Sequence, residues 1–357
     1  MTLNLTKPHL YYIDLLRVYL TIVVFYHHSA IAFGASGSWY YRAKELVSSN
    51  VEGLLSINMA VDQSYFMSLF FFISAYLMPA SYDKKGCFLY IKDRINRLVI
   101  PLLIYSFIIN PLLCNFIYGA KCEIGLGPMW FVFTLIFFEL FYVLYRVINS
   151  RITIPWRFPK ILPIIIFILL MGLWAFEVRL FAPTNIGIMG LTLGYFPLYI
   201  SMYFLGIVAY RNNWLDGLKI INGYIWLSAI LFLIMPLFLL SLKDCPNLNL
   251  VNGGLNRFAL IYALWEPVMC VAICYILLVF SKKYFNRKSS LIDWLSKQTY
   301  SFYIIHPAVV VGCTYFVETI NVSPFQRFLL LLIIGIPLCF IVGYLFKKVL
   351  RLIDVNI

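Results

Sequence analysis

Long apolar runs separated by short polar and basic clusters dominate the chain. A helix that crosses a bilayer needs about 20 predominantly apolar residues, and runs of that order cover 13–34, 60–80, 98–117, 127–146, 159–177, 193–210, 221–241, 258–281, 299–318 and 326–347. The pattern predicts an all-α, polytopic membrane protein with about ten transmembrane helices. The first run has no A-x-A-like cleavage site, and its apolar core is interrupted by Arg17, His27 and His28. It is therefore expected to remain as the first span rather than to be removed as a signal peptide.

The basic residues orient these spans. With alternate connections assigned to opposite sides, 20 Lys and Arg fall on the side of the N-terminus, 7 on the other, and Arg17 lies within the membrane. Because positively charged flanks stay inside, both termini are expected to be cytoplasmic. Composition agrees: 62% of residues are hydrophobic, only 12% are charged and mean hydropathy is +0.88, against about 25% charged in soluble domains. The net charge of +13 does not imply nucleic acid, which needs a solvated basic face. Here the cations sit between apolar runs, where anionic lipid headgroups and a phosphorylated ligand are their natural partners. The eight cysteines show no CxxC pair or zinc-ligand spacing, so no metal is expected; Cys114, Cys122 and Cys245 fall toward one face, where a disulfide is an option. No repeat or linker divides the chain, and residues 1–357 are expected to form one domain.

The informative residues are the polar ones inside the spans. At 100° per residue, Arg17 and His28 lie about 20° apart around the first helix and ~16 Å apart along it, while His27 is about 80° from Arg17. Asp14 lies one turn before Arg17 and is placed to pair with it; at ~21 Å from His28 it cannot orient that imidazole. An orienting group must come from another helix, and Glu266 has a suitable depth. Ser74 and Tyr76 read either as interhelical hydrogen-bonding groups or as ligand contacts. Glu139 lies mid-span and needs a partner or a proton. In the 35–59 loop, Trp39-Tyr40-Tyr41 suits a turn returning to the membrane interface, and would equally suit stacking on a sugar.

Asp14-Leu15-Leu16-Arg17 followed by His27-His28-Ser29 resembles the opening of the acyltransferase 3 family, whose R-x10-H motif falls on Arg17 and His28. The resemblance continues through Phe70 to Leu77, Arg94-Ile95-Asn96-Arg97-Leu98, Gly127-Pro128-Met129-Trp130, Tyr195-Phe196-Pro197, Trp265-Glu266-Pro267 and Tyr303-Ile304-Ile305-His306-Pro307, in order along nearly the whole chain. Ala75 departs from the pattern by standing where relatives usually carry glycine, and Glu139 by standing where they carry a small or apolar residue. The resemblance implies a ten-helix enzyme of the bacterial inner membrane. It would move an acyl group, usually acetyl, from cytoplasmic acyl-CoA to a hydroxyl of an envelope glycan or lipid-linked glycan, such as lipopolysaccharide O-antigen. It also implies that His28 is catalytic and that Arg17, Arg94 and Arg97 bind the donor.

Depths counted along the spans sort the polar groups into two layers. Arg17, Ser74 and His306 fall in an inner layer, with Arg94 and Arg97 at its edge; guanidinium groups there suit phosphates. His28, Glu266 and Trp130 fall in an outer layer, where an imidazole and a carboxylate suit acid–base work. The expected roles are thus His28 as general base or acyl acceptor, oriented by Glu266; Arg17, Ser74, Tyr76, Arg94, Arg97 and His306 at the donor; and His27, Trp39 and Trp130 near the acceptor. A transporter with a buried His/Arg/Glu path is the alternative, but it predicts paired broken helices in two halves, and none is apparent.

Overall fold

The computed structural model describes residues 9–119, 125–149, 155–188, 190–352 and 355. Cys122 and the basic residues Lys7, Lys121 and Arg151 lie outside them. The Cys245 thiol donates to the carbonyl of Asn247 at 3.2 Å.

Helices run Tyr11–Ala32 (α1), Ser49–Arg94 (α2), Ile100–Ile104 (α3), Asn110–Tyr118 (α4), Trp130–Ile148 (α5), Ile161–Phe181 (α6), Phe196–Arg211 (α7), Ile220–Ala229 (α8), Met235–Leu242 (α9), Arg257–Phe285 (α10), Ser290–Ser296 (α11), Thr299–Glu318 (α12) and Pro324–Leu352 (α13). Five-residue π-helical turns at Ile95–Val99, Tyr105–Ile109 and Ile230–Ile234 join α2 to α3, α3 to α4 and α8 to α9. No strand occurs among the described residues. Helix is the only open-ended way to satisfy backbone groups in hydrocarbon, and nine of the described stretches are long and apolar enough to cross a membrane.

One of these, Ser49–Tyr118, has 70 residues, roughly three bilayer thicknesses at 1.5 Å per residue. It breaks at Gly86, whose φ of 73° and ψ of 170° are open to glycine without steric penalty. The chain folds back there, with the Tyr82 and Tyr90 rings 5.5 Å apart and Lys85 paired with Asp93 at 2.8 Å. The second and third expected spans are the two arms of this stretch.

The helices differ sharply in enclosure. In α1 and α12, 67% of the span is buried, whereas in Ile220–Leu242 only 11% is. The two helices that carry the motif histidines therefore form the centre, and α6, α8 and α9 face outward. α1 packs against α2, α10, α12 and α13, while α2 packs along α7. At Ala75 the close approach of helices is made by a glycine of the opposite helix: a Cβ on Gly206 would stand 2.4 Å from the Phe72 carbonyl and 2.9 Å from the Ala75 Cβ. Small residues let membrane helices pack closely in this way.

The loop after α1 folds back over the helix end. Arg42 donates to the carbonyls of Gly34 and Ala35 at 3.1 and 2.9 Å, and the Ala43 and Val47 amides donate to Ala32 and Phe33 at 2.8 and 3.1 Å. These bonds occupy carbonyls that a helix C-terminus leaves open. The loop is also tied to α12, since Tyr41 donates to Glu318 at 2.8 Å and stacks on Tyr315 at 4.2 Å.

Candidate active site

α1 meets α12 at two levels. At the lower level, the Arg17 guanidinium donates to the Thr299 hydroxyl at 3.2 Å and lies 3.7 Å from Asp14. At the upper level, the His28 ring stacks on His306 at 5.3 Å between centroids, with 18° between planes. The pinned loop brings Trp39 onto His28 at 3.9 Å and 18°. Trp39 and His306 are 6.0 Å apart and within 21° of parallel, so three aromatic rings form one nearly parallel cluster.

The hydrogen bonds leave this cluster with open valences. His306 Nδ1 lies 2.6 Å from the Tyr303 carbonyl; a carbonyl only accepts, so Nδ1 carries the proton and Nε2 keeps its lone pair. His306 Nε2, His28 Nδ1 and Trp39 Nε1 are all buried and without a hydrogen-bond partner. Buried polar atoms in native proteins are nearly always paired, so three such atoms on touching rings mark a place where a ligand would supply partners. Neighbouring Tyr40 is held by the Tyr105 hydroxyl at 2.8 Å and by Asn110. Burial raises its phenol above the usual range, which keeps it a neutral donor.

His306 was expected beside Arg17 and Ser74, but it stands at the level of His28. Depths counted from each helix end assume that the helices start in one plane. Here Thr299, the first residue of α12, is already level with Arg17, and seven further residues lift His306 by ~10 Å.

The expected pairing of Glu266 with His28 is also replaced. The Glu266 carboxylate is ion-paired with Arg179, and both side chains are 0% exposed. Arg179 Nε donates to the Gly194 carbonyl at 3.0 Å, and its guanidinium lies 5.3 Å from each of the Tyr195 and Tyr262 rings. No hydrogen bond or ion pair joins Glu266 to His28 among the described residues. Arg179 lies two residues beyond the apolar run 159–177 and so falls among the seven outer flanking cations, whereas α6 continues to Phe181 and buries it. The available signal was the need of a mid-span carboxylate for a counter-charge, and Arg179 was a cation near one span end.

Arg94 and Arg97 do not share one environment. Arg94 Nε lies 3.3 Å from Glu139 Oε2, and its guanidinium covers the Tyr90 ring at 4.7 Å. This supplies the partner that Glu139 required. Arg97 is half-exposed and pairs with Asp93 at 3.0 Å. A π-helical turn begins directly after Arg94, and π geometry changes the angle between residues three apart. Ser74 is half-buried, and Tyr76 packs between Phe72 and Tyr210 at the contact of α2 with α7. Trp130 stacks on Tyr199 at 5.5 Å, and the Tyr199 hydroxyl accepts from Gln63 at 2.8 Å.

His27 points to a different neighbour from His28. Its ring stacks on Phe66 at 5.0 Å, meets His28 edge-on at 5.5 Å, and brings Nδ1 to 4.0 Å from Asp62 Oδ2. Asp62 was not anticipated, because nothing in the polar periodicity of α2 marks it as inward-facing.

Compared with known families, residues 10–344 match the model of an acyltransferase domain. The chain belongs to the acyltransferase 3 family. No curated protein and no solved structure matches it. This acyltransferase is thus a multi-pass membrane enzyme, and Arg17 and His28 lie on one of its two most enclosed helices. The acyltransferase 3 match spans both halves of the ring cluster, from His28 and Trp39 to His306.

Proposed function

We propose that the protein is a membrane O-acyltransferase of the bacterial inner membrane. It takes an acyl group, acetyl in the first instance, from acyl-CoA at the cytoplasmic face and transfers it to a hydroxyl of an envelope glycan, such as lipopolysaccharide O-antigen, at the opposite face. The supporting observation is the arrangement along α1: a guanidinium at one level and an imidazole within an unsatisfied ring cluster ~16 Å beyond it. A donor with a phosphorylated head and a long thin arm fits that spacing.

The charge at the Arg17 level favours the same reading. Lys347 donates to the Lys297 carbonyl at 2.7 Å, two residues before the Thr299 that Arg17 contacts, so lysines of α13 and of the α11–α12 junction gather near this level. Like charges gathered in this way are relieved by a polyanion. In the proposed orientation this is the cytoplasmic side.

In the proposed reaction the acceptor oxygen attacks the thioester carbonyl carbon as neutral His28 removes its proton. The carbon–sulfur bond breaks, and the His28 proton passes to the departing thiolate, giving ester and free CoA. Trp39, stacked face-on, is positioned to stabilise the imidazolium formed on the way. Glu266 has no part in this scheme.

The test is incubation of the purified protein in lipid with radiolabelled acetyl-CoA and envelope glycan, comparing wild type with His28→Ala. Label in the glycan with wild type alone supports the proposal. Transfer that survives the substitution removes His28 from the chemistry.

A further inference from the structure

The pair formed by His27 and Asp62 lies outside the reaction as drawn, yet its geometry has the character of a binding site. His27 Nδ1 and Asp62 Oδ2 are 4.0 Å apart, and the side chains are 10% and 13% exposed. That separation is too long for a hydrogen bond, and neither atom has another hydrogen-bond partner. One oxygen atom placed at ordinary hydrogen-bond distance, about 2.8 Å from each, closes the gap. The group must donate to a carboxylate and accept from an imidazole N–H, a pattern that a hydroxyl meets with one atom.

The surroundings favour a neutral, polyhydroxylated ligand. The Tyr65 hydroxyl stands 3.5 Å from Asp62 Oδ1 and bonds the Tyr19 hydroxyl at 2.8 Å. Hydroxyls and the Phe66 ring, stacked on His27 at 5.0 Å, therefore lie close to the pair, and the carboxylate disfavours an anion. His27 is chain neighbour to His28, with the rings 5.5 Å apart, so a polyol anchored through one hydroxyl would offer an adjacent hydroxyl to the catalytic imidazole.

We propose that Asp62 and His27 form the acceptor's anchoring site, holding a hydroxyl next to the one that is acylated. This rests on the reading of the protein as an acyltransferase that acts on a glycan hydroxyl, and adds to it a residue, Asp62, that selects the acceptor through the neighbouring hydroxyl.

The experiment uses the full chain in lipid nanodiscs with acetyl-CoA and a panel of methyl hexopyranosides with their single-deoxy analogues, following CoA release and acylated sugar by mass spectrometry. Asp62→Ala is expected to raise the acceptor KM by roughly 10–100-fold, the worth of one hydrogen bond to a charged group, and to leave the acetyl-CoA KM in place. Asp62→Asn, which keeps an acceptor oxygen and the side-chain volume, should fall between. One deoxy analogue should be as poor a substrate for wild type as the parent sugar is for Asp62→Ala, and should lose nothing further in the variant. Equal rises in both KM values, a change in kcat alone, or the same variant-to-wild-type ratio for every deoxy analogue would overturn the proposal. CoA release without acylation of any sugar would overturn the acceptor class and leave the acyltransferase reading standing. Absence of CoA release with every acceptor would instead refute that reading itself.

Discussion

Glu266→Gln leaves the Arg179 guanidinium charged at a position with 0% exposure, next to a neutral amide. Breaking one side of a buried ion pair typically costs about 3–5 kcal/mol, because the remaining charge stays desolvated. Unfolded helices in a membrane also find partners, so the lower end applies, and about 3 kcal/mol corresponds to roughly a hundredfold shift in the folded population. Arg179→Leu combined with Glu266→Leu removes both charges. Its remaining deficit is the Gly194 carbonyl that loses the Arg179 Nε donor, a loss of roughly 1–3 kcal/mol, offset by the desolvation penalty no longer incurred. The double variant should therefore be more stable than Glu266→Gln and within about 2 kcal/mol of wild type. Thermal unfolding in nanodiscs, followed by intrinsic fluorescence, measures the order of stability. Acyl transfer per folded molecule, taken below every transition, measures the chemistry. The double variant should retain transfer. A double variant that is folded and inactive, or a Glu266→Gln variant of wild-type stability with no transfer, would refute the structural assignment and return Glu266 to the reaction.

The remaining predictions concern the helix pair and the break in α2. His28→Ala should fold, since the ring is only half-buried, and should lose at least the 10²–10⁴-fold typical of a general base, read as initial rate of acylated product. Trp39→Leu should lower kcat roughly 2–30-fold by removing the face that supports the imidazolium, and Trp39→Phe should recover part of it; equal loss in both would indicate simple packing. Arg17→Ala should raise the acetyl-CoA KM more than the acceptor KM, and equal effects would contradict the two-level arrangement. Gly86→Ala meets no atom within 4 Å, so its penalty should be that of the backbone alone, about 1–3 kcal/mol for a φ/ψ region essentially confined to glycine, visible as a fall in thermal stability.

Apolar run length was sufficient to establish helix, membrane and approximate number of spans, because a bilayer forces backbone groups to pair within each segment. The eleven-residue step from Arg17 to His28 likewise belongs to the sequence, since any α-helix places those residues on one face. Which groups meet across helices was decided by tertiary structure. Relative helix heights put His306 on His28 instead of beside Arg17, the packing of the last turns of α6 against α10 gave Glu266 its counter-charge, and the fold-back of a loop laid Trp39 over the histidine. Asp62 entered the site through the packing of α2 on α1. Periodicity fixes angles within a helix, but the offset and rotation between helices arise from close packing of many small contacts, and no single stretch of the chain encodes them.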